Sequence, residues 1–390
     1  MLGTDWKRRP SIQSAVLLGL LKLQRDRERA ASIMTALLAG ELQWDSLGAA
    51  QKRLLAVPLI DLVLHESFKL RYKNAARMVS LAEKAQILAR NLSSHRYGRK
   101  VVADIRARVW SDSANAYRVA EDFPSAERAL GLAAAWVRRG TGDPVLFARV
   151  LDFGASLFSD QRCFTEASEC LDCVESIYEM LGEVQLAARA LVSKGVFAGR
   201  DGQHKRAIIL LSQGLKRASA WSDTGLELVA LQSLALNLVE LGDYQTADAA
   251  FERLERLFRR DRGIINSLRL HWLKGRIAVG LGQFGQAESC FQVARIGFRN
   301  LDKFVDAALV SLDLALVYAK RGKRLEIRQL AQEMITTFRA YRIAREAIAS
   351  LVLLRKTCDE PESTPDLLRG QIKTLSLMLA ELERRPVRGR

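Results

Sequence analysis

One spacing constrains this chain more than any other feature. Small residues stand at Ala126, Ala167, Ala207, Ala247 and Ala287, and Ile327 completes the series, at intervals of 41, 40, 40, 40 and 40. Four residues after each anchor come Leu130, Leu171, Leu211, Phe251, Phe291 and Ala331. Three further on come Ala133, Val174, Gly214, Leu254, Ala294 and Met334. Twelve residues before each anchor come Ala114, Ala155, Gly195, Ala235, Gly275 and Ala315, so that column is Ala or Gly in all six units. Gly202, Gly242, Gly282 and Gly322 repeat with the same period.

The anchor, the fourth residue after it and the seventh share one helical face. The small residue twelve positions earlier falls on the preceding helix, where it permits close helix approach. The recurrent Gly supplies the positive φ that ends one helix and opens a tight turn. Each unit is thus a helix–turn–helix pair that cannot bury its apolar face alone and must stack on its neighbours. Composition agrees. No Pro lies between Pro144 and Pro361, and Pro is the residue a helix interior excludes most strongly. With 49% hydrophobic and 27% charged residues among 390, the chain reads as all-α globular material.

The stretches "LGDYQTADAAF" (241–251) and "LGQFGQAESCF" (281–291), with Tyr117 in "NAYRVAEDFPSAERAL", resemble the tetratricopeptide repeat (TPR) family in a longer form of about 40 residues. The resemblance covers about 107–345 in six units. It lacks the Pro that commonly closes each family unit, and Ile327 replaces the Ala anchor, so the second helix of the last unit is expected to be atypical. The resemblance implies a right-handed α-solenoid of stacked helix pairs with helical caps at both ends, of the kind found in bacterial regulatory and scaffold proteins. The domain reading is an N-terminal helical cap or small domain over 1–58 and the repeat array over 59–357. The array opens with a degenerate unit at 59–100 anchored near Met78, Ala82 and Ala85, and ends in a trailing helix. A linker, a capping helix and a basic tail occupy 358–390, the helix running from about 365 to 384.

Five cysteines (Cys163, Cys170, Cys173, Cys290, Cys358) are odd in number and scattered, which fits a reducing cytoplasm better than a disulfide framework. Cys170 and Cys173 form a C-x-x-C within a helix, with no second ligand pair near them, and read as packed thiols. Lys7, Arg8 and Arg9 before "AVLLGLL" superficially resemble an export signal, but Lys22 ends the apolar run and no clear cleavage site follows. No segment approaches 18 uninterrupted apolar residues, so no membrane span is expected.

Motifs for catalysis do not emerge. "GLGQFG" (280–285) matches G-x-G-x-x-G, yet it sits at the inter-helix turn in register with Gly242, without the strand a dinucleotide site requires. His65, His95, His204 and His271 show no metal-ligand spacing; His271, beside Trp272, reads as packing or groove-lining. No nucleophile elbow or P-loop occurs. No catalytic residue, metal or cofactor is assigned, and the chain is read as non-enzymatic.

A basic column does stand out. Arg108, Arg149, Arg189 and Arg269 share one register of the first helices, with Val229 and Leu309 there in the other two units. The TPR resemblance implies that this register faces a groove, with Asn115, Asp152, Gln232, Trp272 and Arg276 as neighbours. Guanidinium groups along one channel suit carboxylates or phosphates; the competing assignment is solvated Arg, or Arg paired with Asp and Glu on adjacent helices. Three functions follow. The leading one is a protein-interaction scaffold holding an acidic partner peptide or helix. The second is a regulatory sensor for a small ligand or signalling peptide. The third, nucleic-acid binding, draws on the net charge of +16 but lacks aromatics interleaved with the basic residues.

Overall fold

The structure, a computed structural model, describes residues 12–48, 55–71, 74–220, 223–258, 264–341, 345–360 and 364–384. The basic segment at Lys7–Arg9, linker residues 361–363 and most of the basic tail lie outside them. Among the described residues the regular structure is helical throughout.

The backbone repeats at half the period of the sequence. From Pro144 onward helices begin at Pro144, Phe164, Val184, His204, Thr224, Tyr244, Ile264, Phe284, Phe304 and Arg324, each 20 residues after the last. The punctuation is a Schellman closure. At the end of the helix reaching Arg200, Gly202 takes φ 81° and the Gln203 N–H donates to the Ala198 carbonyl at 2.9 Å. The same bond recurs from Cys163 to Phe158, Glu183 to Tyr178, Asp243 to Leu238, Gln283 to Ala278, Lys303 to Phe298 and Lys323 to Tyr318. Gly is not required at every turn: Arg162 and Asp302 hold the left-handed conformation at φ 64° and 55°. Several helices are then restarted by an Asp or Asn cap, as when Asp223 accepts from the Leu226 N–H at 3.0 Å.

The chain divides after Ala190 into two compact units. Unit 1 holds α1 (Ile12–Ala39), a 3-10 turn (Trp44–Ser46), α2 (Ala56–Lys69), α3 (Ala75–Arg90), the short α4 (Ser94–Tyr97), α5 (Arg99–Val119), α6 (Phe123–Val137), α7 (Pro144–Asp160) and α8 (Phe164–Met180). The division falls within α9 (Val184–Arg200). Unit 2 continues with α10 (His204–Ala220), α11 (Thr224–Glu240), α12 (Tyr244–Phe258), α13 (Ile264–Gly280), α14 (Phe284–Asn300), α15 (Phe304–Lys320), α16 (Arg324–Tyr341), α17 (Arg345–Asp359) and α18 (Pro365–Arg384).

In both units the repeated columns form the core. All six anchors, Ile327 included, are fully buried, so the last pair is built like the others despite its changed anchor. Met78, Ala82 and Ala85 of α3 are buried as well. The Ala/Gly column touches the column four after the anchor. A Cβ on Gly195 would come within 2.7 Å of Leu211, and one on Gly275 would collide with the Phe291 ring. These two glycines are the cost of larger residues on the facing helix. At the C-terminal end, Leu368, Ile372, Leu375 and Leu379 of α18 follow a helical stripe and are buried against α15 and α17. Each such burial contributes about 1.5–3 kcal/mol.

Candidate binding face

In unit 1 the first helices of successive pairs lie side by side and are joined by ion pairs. Asp61 of α2 accepts from Arg108 Nη1 of α5 at 2.7 Å. One turn along α5, Asp112 receives two bonds from Arg149 of α7, Nη2–Oδ1 at 2.6 Å and Nε–Oδ2 at 3.3 Å. Three residues along α7, Asp152 lies within the fields of Arg149, Arg189 of α9 and Arg118. The result is a ladder in which carboxylates and guanidinium groups alternate from α2 to α9. Its local cause is spacing: Arg108/Asp112 and Arg149/Asp152 sit four and three residues apart, so each helix presents one base and one acid on a single face.

The rungs differ in exposure. Both partners of the Arg108–Asp61 pair are open to solvent, with side chains 42% and 48% exposed. The Asp112 side chain is 7% exposed while that of Arg149 is 39%. Burial pushes the Asp112 carboxyl above its ordinary range, against the pull of Arg149 and Arg108. Burial does the same to Asp152, opposed by its three arginines. Arg149 also lies over the Phe153 ring at 5.2 Å, and Arg189 is exposed.

Asn115 does not offer its carbonyl to the face. It is 3% exposed, and its Oδ1 accepts from Arg118 Nε at 3.2 Å and Nη2 at 2.8 Å, which orients Arg118 toward Asp160. It is a positioning residue for a guanidinium absent from the predicted set.

Unit 2 is arranged otherwise. Arg269 is exposed on α13 and acts on Asp306 of α15 through its charge. Trp272 donates its Nε1–H to Asp313 Oδ2 at 2.6 Å and meets the Phe298 ring edge-on at 6.3 Å. Arg276 bonds Glu240 of α11 at 2.8 Å. Burial raises the Asp313 pKa, while Arg276 and the Trp272 N–H oppose it. Gln232 is half-buried on α11. The polar work thus passes to residues one to three turns further along the helices. His271 donates from Nδ1 to the Ser267 carbonyl of its own helix at 2.8 Å.

The sequence-predicted set names Arg108, Arg149, Arg189, Arg269, Arg276 and Asp152 but omits Arg118, Asp61, Asp112, Asp160, Glu240 and Asp313. Only Asp112, four residues beyond Arg108, carried a local signal. The "GLGQFG" segment is the turn between α13 and α14, where Gly282 has φ 75° and a Cβ on Gly280 would strike Tyr244. All five cysteines are free thiols. Among the described residues no group of three or more His, Cys, Asp or Glu side chains is placed to hold a metal. No described helix is long and apolar enough to cross a membrane.

No family model matches the sequence, and no curated protein matches it either. Solved structures do. A Rap protein complexed with competence and sporulation factor superposes with a TM-score of 0.59 at 14% identity, covering 83% of this chain and 88% of that one. NprR in complex with its cognate peptide NprX gives 0.53 at 13%, covering 84% and 98%. Aspartyl phosphate phosphatase F from Bacillus subtilis gives 0.54 at 12%, covering 93% and 92%. A signal-transduction ATPase from Pyrococcus horikoshii with a tetratricopeptide repeat sensor gives 0.53 at 16%, covering 86% of this chain and 55% of that one. At these identities the likeness is one of fold. The 20-residue helix-and-turn module, the six buried anchors and these superpositions give the chain an all-α fold of repeated helix pairs, similar to that of these tetratricopeptide-repeat-like structures.

Proposed function

We propose that this protein is a non-catalytic regulatory scaffold that holds an acidic partner peptide or helix along the first-helix face of unit 1. The carrying observation is the ladder of Arg108, Arg149 and Arg189 with its interleaved carboxylates. The pairing assignment weighed for these arginines accounts for Arg108 and Arg149, and it strengthens the binding reading. Arg149 spends its Nε and Nη2 on Asp112, which fixes the plane of the guanidinium and leaves its other N–H donors directed elsewhere. A group held that way gives up little rotamer freedom when a ligand carboxylate arrives. Two of the similar structures, the Rap protein with competence and sporulation factor and NprR with NprX, are complexes with signalling molecules. They favour a peptide over an extended nucleic acid.

The test uses the full chain and a positional-scanning library of short peptides, read by fluorescence polarisation at physiological salt. The double variant Arg108→Gln/Arg189→Glu keeps the Arg149–Asp112 pair and therefore the fold, which a thermal melt verifies. The expected result is preferential binding of acidic peptides, weakened at least tenfold in the variant. Equal affinity of wild type and variant overturns the reading. Retention of nucleic acid alone, abolished by nuclease, replaces it with nucleic-acid binding.

A further inference from the structure

In unit 2 a cleft of about 360 Å³ opens between α12, α13 and α14, which lies in the range of small-molecule sites. Its apolar walls are Phe251, Phe258 and Leu270. Its polar lining comes from Ser267, His271 and Lys274 of α13, Glu255 of α12 and Gln286 of α14.

The repeat makes His271 conspicuous. One period earlier the positions of His271 and Lys274 are Leu231 and Leu234; one period later they are Ser311 and Leu314. Leu231 is fully buried and belongs to the core of its own pair. A position that is Leu151, Leu191 and Leu231 in the three preceding units carries an imidazole here; its neighbour one turn away carries an ammonium, as Lys194 does two periods earlier. Neither is consumed by a strong partner. The His271 Nδ1–H is fixed on the Ser267 carbonyl at 2.8 Å, which leaves Nε2 as the ring's second polar atom. Lys274 Nζ is 3.4 Å from Glu255 Oε1 and 5.6 Å from the centre of the Phe251 ring. Both are long contacts that leave ammonium protons available. The Cys290 thiol forms part of the opposite wall and is 8% exposed.

We propose that this cleft binds a small amphipathic anion, an aromatic or branched apolar body bearing a carboxylate. The body lies on Phe251, Phe258 and Leu270. The carboxylate takes a hydrogen bond from Lys274 Nζ, beside the His271 ring. A cationic ligand is disfavoured by the like charge of the Lys274 ammonium, with which Glu255 is already paired at 3.4 Å. The inference is independent of the peptide-binding face, which uses other helices.

The experiment compares three probes of one shape, 4-phenylbutyrate, 4-phenylbutanol and 4-phenylbutylamine, by saturation-transfer NMR and calorimetry on the full chain. Two variants accompany it. Lys274→Met keeps the stem and removes the charge; Gln286→Trp, at an exposed position on the cleft rim, fills the opening without touching the core. The acid is expected to bind at least tenfold more tightly than the amine, to lose that preference in Lys274→Met and to lose binding in Gln286→Trp. The acid is also expected to slow maleimide labelling of Cys290, read by peptide mass spectrometry with exposed Cys173 as the unaffected control. Binding of the amine as tight as the acid, acid binding that survives Gln286→Trp, or no binding of any probe overturns the proposal.

Discussion

The first-helix faces of the two units are built on the same module and spend it differently. In unit 1 every rung contributes a guanidinium; Asp61 and Asp112 hold Arg108 and Arg149 in place, and Arg189 acts on Asp152 through its charge. In unit 2 two of the register positions are Val229 and Leu309, and the polar cluster shifts to Trp272, Arg276, Glu240 and Asp313. The lesson is that a helix-pair repeat fixes its core columns and leaves the face register free. The core tolerates only small residues where helices cross; the face accepts Arg, Val or Leu at equivalent positions without changing a turn. One architecture can therefore present two chemically different faces.

The largest effect should come from the core that both units share. Gly275→Ala drives a methyl into Phe291 and should destabilise unit 2 by about 1–3 kcal/mol. The equivalent column in unit 1 already holds Ala114 and Ala155, so the comparison is sharpened by the pair Gly275→Ala/Phe291→Leu. That pair should recover most of the loss in a urea titration. If Gly275→Ala alone leaves the midpoint unchanged, the close-approach account of this column is wrong.

Next is Arg149→Gln. It strands Asp112, whose side chain is 7% exposed. Breaking a fully buried pair costs about 3–5 kcal/mol, and the 39% exposure of Arg149 lowers the expected loss to about 2 kcal/mol. Adding Asp112→Asn should restore most of it, and a double-mutant cycle by chemical denaturation reads the coupling directly. Arg108→Gln, whose pair with Asp61 is solvent-exposed on both sides, should cost less than about 1 kcal/mol. Equal losses at Arg108 and Arg149 would erase the distinction between inner and outer rungs.

The smallest signal is a pH slope. Burial keeps the Asp152 carboxyl protonated to higher pH in the folded state than in the unfolded chain. Between those two pKa values the folded state binds more protons, so this group's contribution to stability is full below the unfolded value and is lost as pH rises through the folded one. Asp152→Asn lacks that loss. The melting temperature of the variant relative to wild type should therefore move upward from pH 4 to pH 7, and a difference that shrinks over that range would contradict the burial-dominated environment of Asp152.

The fold was legible because its cause is local and repeated. Ala126, Ala167, Ala207, Ala247 and Ala287 announce the crossing points directly, and all prove fully buried. The half-period was harder to see. Glu121, Arg162 and Asp302 adopt the left-handed turn without glycine, so composition conceals three of the punctuation marks. The face was only partly legible. Asp61 and Arg108 are 47 residues apart and Asp112 and Arg149 are 37 apart, so neither pair keeps the 40-residue interval and no column search joins them. Asn115 misled for a related reason: an amide in a face register turns inward when a nearby Arg118 can use its carbonyl.

The 20-residue module gives the chain a parity. Helix and turn together advance by 20 residues, yet first and second helices have different jobs, one carrying the face and the other the anchor. Removing or inserting 40 residues leaves every later helix in its role. Removing 20 preserves the backbone rhythm and exchanges the roles of all that follows, setting face residues where anchors belong. Such a protein can be lengthened or shortened by recombination only in even steps.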